Sequence, residues 1–178
     1  FRGHGDSDFP TELVPGASYT QVYANEQGDA LLWYHDHALG ITRTNVYAGL
    51  AGGYVLTDGA DNARNLPFVM NASGVPDPYG TGKIPLDIPL VIQDRNLSGR
   101  GALTYPDPWA PEFFGNVMTV NGAAWPNLDV DRGWYRLRMA NGSSSRFYHV
   151  ALAPRGRFLQ IGTDTGFLGR PVGLDRLI

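Results

Sequence analysis

Two of the four histidines in this 178-residue chain stand two positions apart. They are His35 and His37, in Leu31-Leu32-Trp33-Tyr34-His35-Asp36-His37-Ala38-Leu39-Gly40. Neutral imidazole is the commonest protein metal ligand and suits copper, zinc, iron and nickel. The run from Ala30 to Leu39 has an apolar and aromatic lead-in and no glycine or proline, so it is expected to form a buried strand. Alternate residues of a strand share a face, and their backbones lie roughly 6.5–7 Å apart at a rise of about 3.3 Å per residue. Two imidazoles so placed can each hold one of two adjacent metals, or together hold one. A bare His-x-His is just as ordinary on the exposed side of a half-buried strand, so its surroundings have to decide.

The other two histidines lack such a setting. His4 lies in Gly3-His4-Gly5-Asp6, within a turn-rich stretch that also holds Asp8, Pro10, Pro15 and Gly16, and reads as a loop residue. His149, in Arg146-Phe147-Tyr148-His149-Val150-Ala151-Leu152, has no neighbouring ligand and reads as a strand-surface or hydrogen-bonded histidine. Cysteine is absent, so disulfides are excluded. A blue-copper electron-transfer site needs a cysteine thiolate beside two histidines, and this chain cannot build one by itself.

The elements that must position the histidine pair are mostly strands. Charged residues make up only 17% of the chain, while glycine (23) and proline (13) are abundant, which favours strands and turns over long surface helices. A net charge of −3 gives no basis for nucleic-acid binding, and no apolar run reaches membrane-spanning length. Strands are expected over Ser18–Ala24, Ala30–His37 and Leu50–Thr57, with a turn at Asn25–Asp29, a short helix between His37 and Tyr47 ended by Gly49, and a turn at Asp58-Gly59. Residues 59–86 are punctuated by asparagine, proline and glycine and read as an interdomain connector. Further strands are expected at Ile88–Arg95, with Pro89 at an edge or first position, and after a loop over 96–115 at Asn116–Asn121, where Asn121-Gly122 signals a hairpin. Ala124–Val130, Gly133–Asn141, Phe147–Ala153 and Phe158–Thr163 complete the series. Within Gly133–Asn141, Tyr135, Leu137 and Met139 share one face and Arg136 and Arg138 the other. Trp125, Trp134 and Tyr135 read as core aromatics. Strands about every ten residues without long helices between them indicate an all-β sandwich or barrel.

The histidine pair continues into Trp33-Tyr34-His35-Asp36-His37-Ala38-Leu39-Gly40-Ile41-Thr42-Arg43-Thr44-Asn45-Val46-Tyr47-Ala48-Gly49-Leu50-Ala51-Gly52-Gly53-Tyr54. This closely resembles the second copper-binding segment of multicopper oxidases, in particular the branch of spore-coat laccase, bilirubin oxidase and phenoxazinone synthase. Asn116–Pro126, Tyr135–Ser143 and Ile161–Leu168 resemble the beginning of the second cupredoxin domain of the same family. The resemblance covers most of the chain and is weakest before Ser18 and over 59–86.

The resemblance implies cupredoxin-like Greek-key β-sandwiches: residues 1–58 as the later part of a first domain, 59–86 as connector, and 87–178 as the earlier part of a second. It implies a copper-dependent oxidase that couples one-electron oxidation of phenolic or similar substrates to reduction of O2 to water. His35 would hold one copper of a type 3 pair and His37 the other, with Asp36 directed to the opposite face and Trp33 and Tyr34 packed around the site. The remaining ligands would come from other cupredoxin domains of the same polypeptide. Both domains are expected to be incomplete, the 178 residues to be an internal fragment, and the isolated fragment to be inactive. Two other readings are a non-catalytic cupredoxin-like module and a part of a two-domain enzyme related to copper nitrite reductase.

Overall fold

The computed structural model describes residues 15–18, 20, 22–56, 87–106, 111–164 and 166–178. Among them are eleven strands and one short helix, the all-β composition expected. No helix among the described residues is long and apolar enough to cross a membrane. The expected connector 59–86, the Asp58-Gly59 turn and His4 lie outside the described residues.

Strand β1 (Ala30–His35) pairs antiparallel with β2 (Ala51–Leu56), Ala30 opposite Leu56 and His35 opposite Ala51. Between them runs helix α1 (Thr42–Ala48), which ends at Gly49, whose N–H reaches back to the carbonyls of Asn45 and Val46 at 3.1 Å. β1 is shorter than expected. It stops at His35 because the Asp36 carboxylate accepts the Ala38 N–H at 3.1 Å and turns the chain out of the ladder. Nor is β1 buried throughout: Ala30 is, but Trp33 and Tyr34 are exposed. The expected strand over Ser18–Ala24 is not formed at its described residues, which are exposed. An alternating pattern makes a strand only where a partner takes up its backbone groups, and no partner strand lies there among the described residues.

Strand β3 (Asp87–Leu97) is the hub of the second half. It runs parallel to β7 (Arg136–Asn141) over Asp87–Ile92 and antiparallel to β5 (Val117–Val120) over Ile92–Arg95. At Asn96–Leu97 it meets the two-residue β4 (Leu103–Thr104), inside the stretch expected to be loop. Pro89 is interior to β3 rather than at its start, but it precedes the residues paired with β5. The Asn121 side chain bridges that gap, accepting the Val91 N–H at 2.8 Å and donating to the Pro89 carbonyl at 2.9 Å. Asn121 and Gly122, with φ of +50° and +82°, form the two-residue hairpin that joins β5 to β6 (Ala123–Ala124). β6 goes no further because Trp125 turns away at φ +40°, so the strand expected over Ala124–Val130 is cut short. The strand expected at Gly133 begins only at Arg136, and that expected over Phe147–Ala153 is reduced to β8 (Val150–Ala151). β9 (Phe158–Thr163) pairs antiparallel with β10 (Gly166–Leu174), and β8 with β11 (Arg176–Leu177).

The core differs from its expected membership. Trp125 and Trp134 are 66% and 59% exposed, and Tyr135 is half-buried. Among the described residues, the buried apolar ones are Ala30, Tyr47, Leu56, Val91, Phe113 and Val117. The arginine face of β7 does not face water. Arg138 is buried and grips Asp87 with two nitrogens, Nε at 2.8 Å and Nη2 at 2.9 Å, while Arg136 stands 3.6 Å from the same carboxylate. A planar guanidinium held in this two-point manner lets a charge be buried where a lone arginine could not be.

A second buried charge, Asp94 of β3, organises the loops around it. Its Oδ2 accepts the Gly115 N–H at 2.6 Å and the Arg146 Nε at 3.0 Å, and Arg146 also donates to the Gly115 carbonyl. A Cβ at Gly115 would stand 2.5 Å from the backbone nitrogen of Arg95, so only glycine permits this approach. Burial opposes the Asp94 charge, but the Gly115 N–H, the Ser143 hydroxyl and the Arg146 guanidinium together hold its carboxyl below the usual range. An unfolded aspartate titrates near ~3.9. Because the folded value is lower, this stabilisation is fully present above the unfolded value and is lost as pH falls through the folded one. The expected result is a urea-unfolding midpoint that drops below about pH 4, with part of that drop missing in Asp94→Asn. An acid dependence identical in the two proteins would contradict it.

Candidate metal centre

His35 closes β1, and His37 stands two residues beyond, outside the strand ladder. The two imidazoles are nonetheless brought together: their ring centroids are 5.6 Å apart and their planes inclined by 27°. Trp33 continues the row, its ring 6.3 Å from that of His35. Tyr34, on the alternate face, lies over its register partner Gly52. Both histidines are solvent-exposed, as is most of Tyr34, so the described residues leave the pair open to water.

The ring of His35 is oriented by its own chain. Nδ1 lies 2.7 Å from the Asp36 carbonyl oxygen. A carbonyl only accepts, so this contact requires Nδ1 to carry the proton. In the neutral ring this leaves the lone pair on Nε2, the arrangement in which histidine ligates a metal, with the other ring nitrogen fixed by a hydrogen bond.

Asp36 stands between the two ligands but has other partners. Its Oδ2 accepts the Asn45 Nδ2 at 2.9 Å as well as the Ala38 N–H at 3.1 Å. The Asn45 amide, then the Ala38 N–H, hold its carboxyl below the usual range against the opposing effect of burial, and the two neighbouring imidazoles act in the same direction. Thr42, at the start of α1, donates to the Ala38 carbonyl at 2.9 Å. The turn between β1 and α1 is thus built from side chains of the segment itself.

His149 is exposed, immediately before β8. Among the described residues no group of three or more histidine, cysteine, aspartate or glutamate side chains could hold a metal ion. The donor set at this pair is therefore two imidazoles. It fits copper as part of a coordination shell, with further ligands required from elsewhere.

The residue that sequence reasoning missed is Tyr47, on the opposite side of α1 from the chemistry. It is 3% exposed. Its hydroxyl donates to the Thr104 carbonyl and accepts the Asn96 N–H, both at 2.8 Å. Phe113 and Tyr105 meet its ring edge-on, and the Arg95 guanidinium lies 5.1 Å from its centroid. This side chain seats the helix that follows the histidine pair on β3 and β4.

The described residues thus form a β-rich fold with two adjacent imidazoles at a strand end. Comparison with known proteins narrows this. No family model matches the chain. It is similar to a laccase of Bacillus subtilis (strain 168), 39% identical over 165 residues, covering 86% of this chain and 29% of the laccase. It is also similar to the cell division protein FtsP of Rahnella sp. (strain Y9602), 36% identical over 165 residues, covering 93% of this chain and 32% of that protein. Among solved structures, the McoA multicopper oxidase of the hyperthermophile Aquifex aeolicus superposes with a TM-score of 0.65 at 31% identity, over 85% of this chain and 31% of McoA. In sequence and fold the chain is thus similar over most of its length to laccases and multicopper oxidases. It spans about three-tenths of the length of the relatives it matches.

Proposed function

We propose that the protein carrying this chain is a copper-dependent oxidase of laccase type. It couples one-electron oxidation of phenolic or similar small substrates to the reduction of O2 to water. Copper, when bound, supplies the one-electron redox chemistry and the site at which O2 is reduced. His35 and His37 supply two ligands of a type 3 copper pair, one to each metal, and the other ligands come from further cupredoxin domains.

The observation that carries this reading is the geometry of the two rings. The ring centroids are 5.6 Å apart and the planes inclined by only 27°, so the two imidazoles stand together at the end of β1. That closeness allows each ring to hold one of two adjacent metals at the ~2 Å reach of a metal–imidazole bond, as the resemblance to a copper-binding segment implies. The Nδ1–H of His35, committed to the Asp36 carbonyl, leaves Nε2 for the metal.

The test is oxygen consumption with a phenolic substrate by the full-length protein, copper-loaded, with His35→Ala and His37→Ala. Losing a hydrogen-bond partner of a metal ligand typically costs 10–100-fold, so losing a ligand itself is expected to cost at least about 100-fold in turnover. Turnover unchanged in both variants would sink the proposal. The 178-residue chain alone, with no cysteine and two paired imidazoles among its described residues, is expected to show no turnover.

The likeness to a cell division protein favours a second reading, a cupredoxin-like module with a structural rather than catalytic role. A full-length protein that binds no copper through His35 and His37 would favour that reading.

A further inference from the structure

The peptide and side chain of Asp36 are engaged at every polar position that the histidine pair depends on. Its N–H donates to the Leu50 carbonyl at 2.9 Å, one residue past the end of the β1–β2 ladder. Its carbonyl takes the Nδ1–H of His35. Its carboxylate takes the Ala38 N–H and the Asn45 amide. Asn45 in turn accepts the Leu50 N–H at 3.0 Å and the Gly49 N–H at 3.1 Å on its backbone carbonyl. Asp36, Leu50 and Asn45 therefore form a closed circuit of three hydrogen-bonded links, with one imidazole on each side of Asp36.

His35 is held by the strand ladder, but His37 is not. The chain reaches His37 through the turn that follows β1, and that turn is closed by Asp36 and Asn45. We propose that the Asp36–Asn45 pair is a positioning clamp that sets the spacing and tilt of His35 and His37 for copper, while neither side chain ligates the metal. The proposal rests on the reading of His35 and His37 as copper ligands.

A clamp acts through hydrogen-bond geometry, so charge and shape separate its variants. Asp36→Asn keeps an oxygen that can accept from Ala38 and Asn45 and loses only the charge. Asp36→Ala loses both bonds. Asn45→Ala loses one of the two and is the milder variant should Asp36→Ala fold poorly. The experiment uses the full-length protein. Copper retained per protein is measured after dialysis against a chelator, and copper-edge X-ray absorption is recorded on every sample that loads, with circular dichroism of the apoproteins as the check on folding. The expected result is copper retention about 10-fold or more lower in Asp36→Ala and Asn45→Ala, with fewer histidine nitrogens at copper, and Asp36→Asn within about 3-fold of the unsubstituted protein. Folded Asp36→Ala and Asn45→Ala proteins that keep normal copper and a normal histidine count would overturn the clamp alone. Asp36→Asn as defective as Asp36→Ala would also overturn it, by assigning the effect to charge. An unsubstituted protein without copper dependent on His35 and His37 would overturn both the clamp and the oxidase reading.

Discussion

Replacing Tyr47 with alanine is expected to destabilise the protein by about 3–5 kcal/mol. The ring is almost wholly buried among Tyr105, Phe113 and the Arg95 guanidinium, so its loss leaves a cavity as well as removing apolar contact. The hydroxyl adds a second cost, because the Asn96 N–H and the Thr104 carbonyl both lose a partner. Tyr47→Phe isolates that cost and is expected to lose about 1–2 kcal/mol. The two variants are compared by urea unfolding of the apoprotein, where the midpoint should fall for both and further for alanine. A midpoint unchanged in Tyr47→Ala would mean that α1 is not seated on β3 and β4 through this residue. Since α1 also carries Asn45, the same substitution should lower copper retention in the full-length protein.

Asp94→Ala is the second substitution with a large expected effect. It removes one partner of a buried ion pair and leaves the Gly115 N–H and the Arg146 guanidinium facing a side chain that cannot accept. Breaking a buried pair in this way typically costs about 3–5 kcal/mol. The Arg146 side chain is about one-third exposed (31%), so water can take over part of its solvation, and the lower end of that range is expected. Asp94→Asn keeps an acceptor of the same shape without the charge and should cost about 1–3 kcal/mol. Equal midpoints for the alanine variant and the unsubstituted protein would show that the network contributes no net stability.

What was legible in the sequence is what short-range chemistry decides. Gly49 stops α1 and Asn121-Gly122 makes a hairpin because each acts within its own few residues. The apolar run Ile88–Ile92 marked β3, and the two histidines were visible as a pair from their two-residue spacing, though not through a shared strand face, since β1 ends at His35. The misjudged features depend on partners far along the chain. Arg138 is buried only because Asp87, 51 residues earlier, meets it in the neighbouring strand, and alternation alone assigned it to the polar face. Asp94 and Arg146 meet across 52 residues. Trp125 carries every local mark of a core residue, yet its backbone turns out of β6.

The site shows the same division. The likeness of the segment to a copper-binding one was readable from its residues. The means of holding the two imidazoles was not, because the expected strand through His37 ends at His35 and a side-chain turn replaces it. Asn45 lies nine residues from Asp36 and had no reason to be singled out before the helix brought it back.

The most direct measurement of the central claim is a crystal structure of the copper-loaded full-length protein, with anomalous scattering recorded at the copper edge. The predicted result is two copper peaks in this region, one bonded to Nε2 of His35 and the other to His37, with Nδ1 of His35 still on the Asp36 carbonyl. A single copper shared by both imidazoles, or copper bound elsewhere with both imidazoles bare, would contradict it.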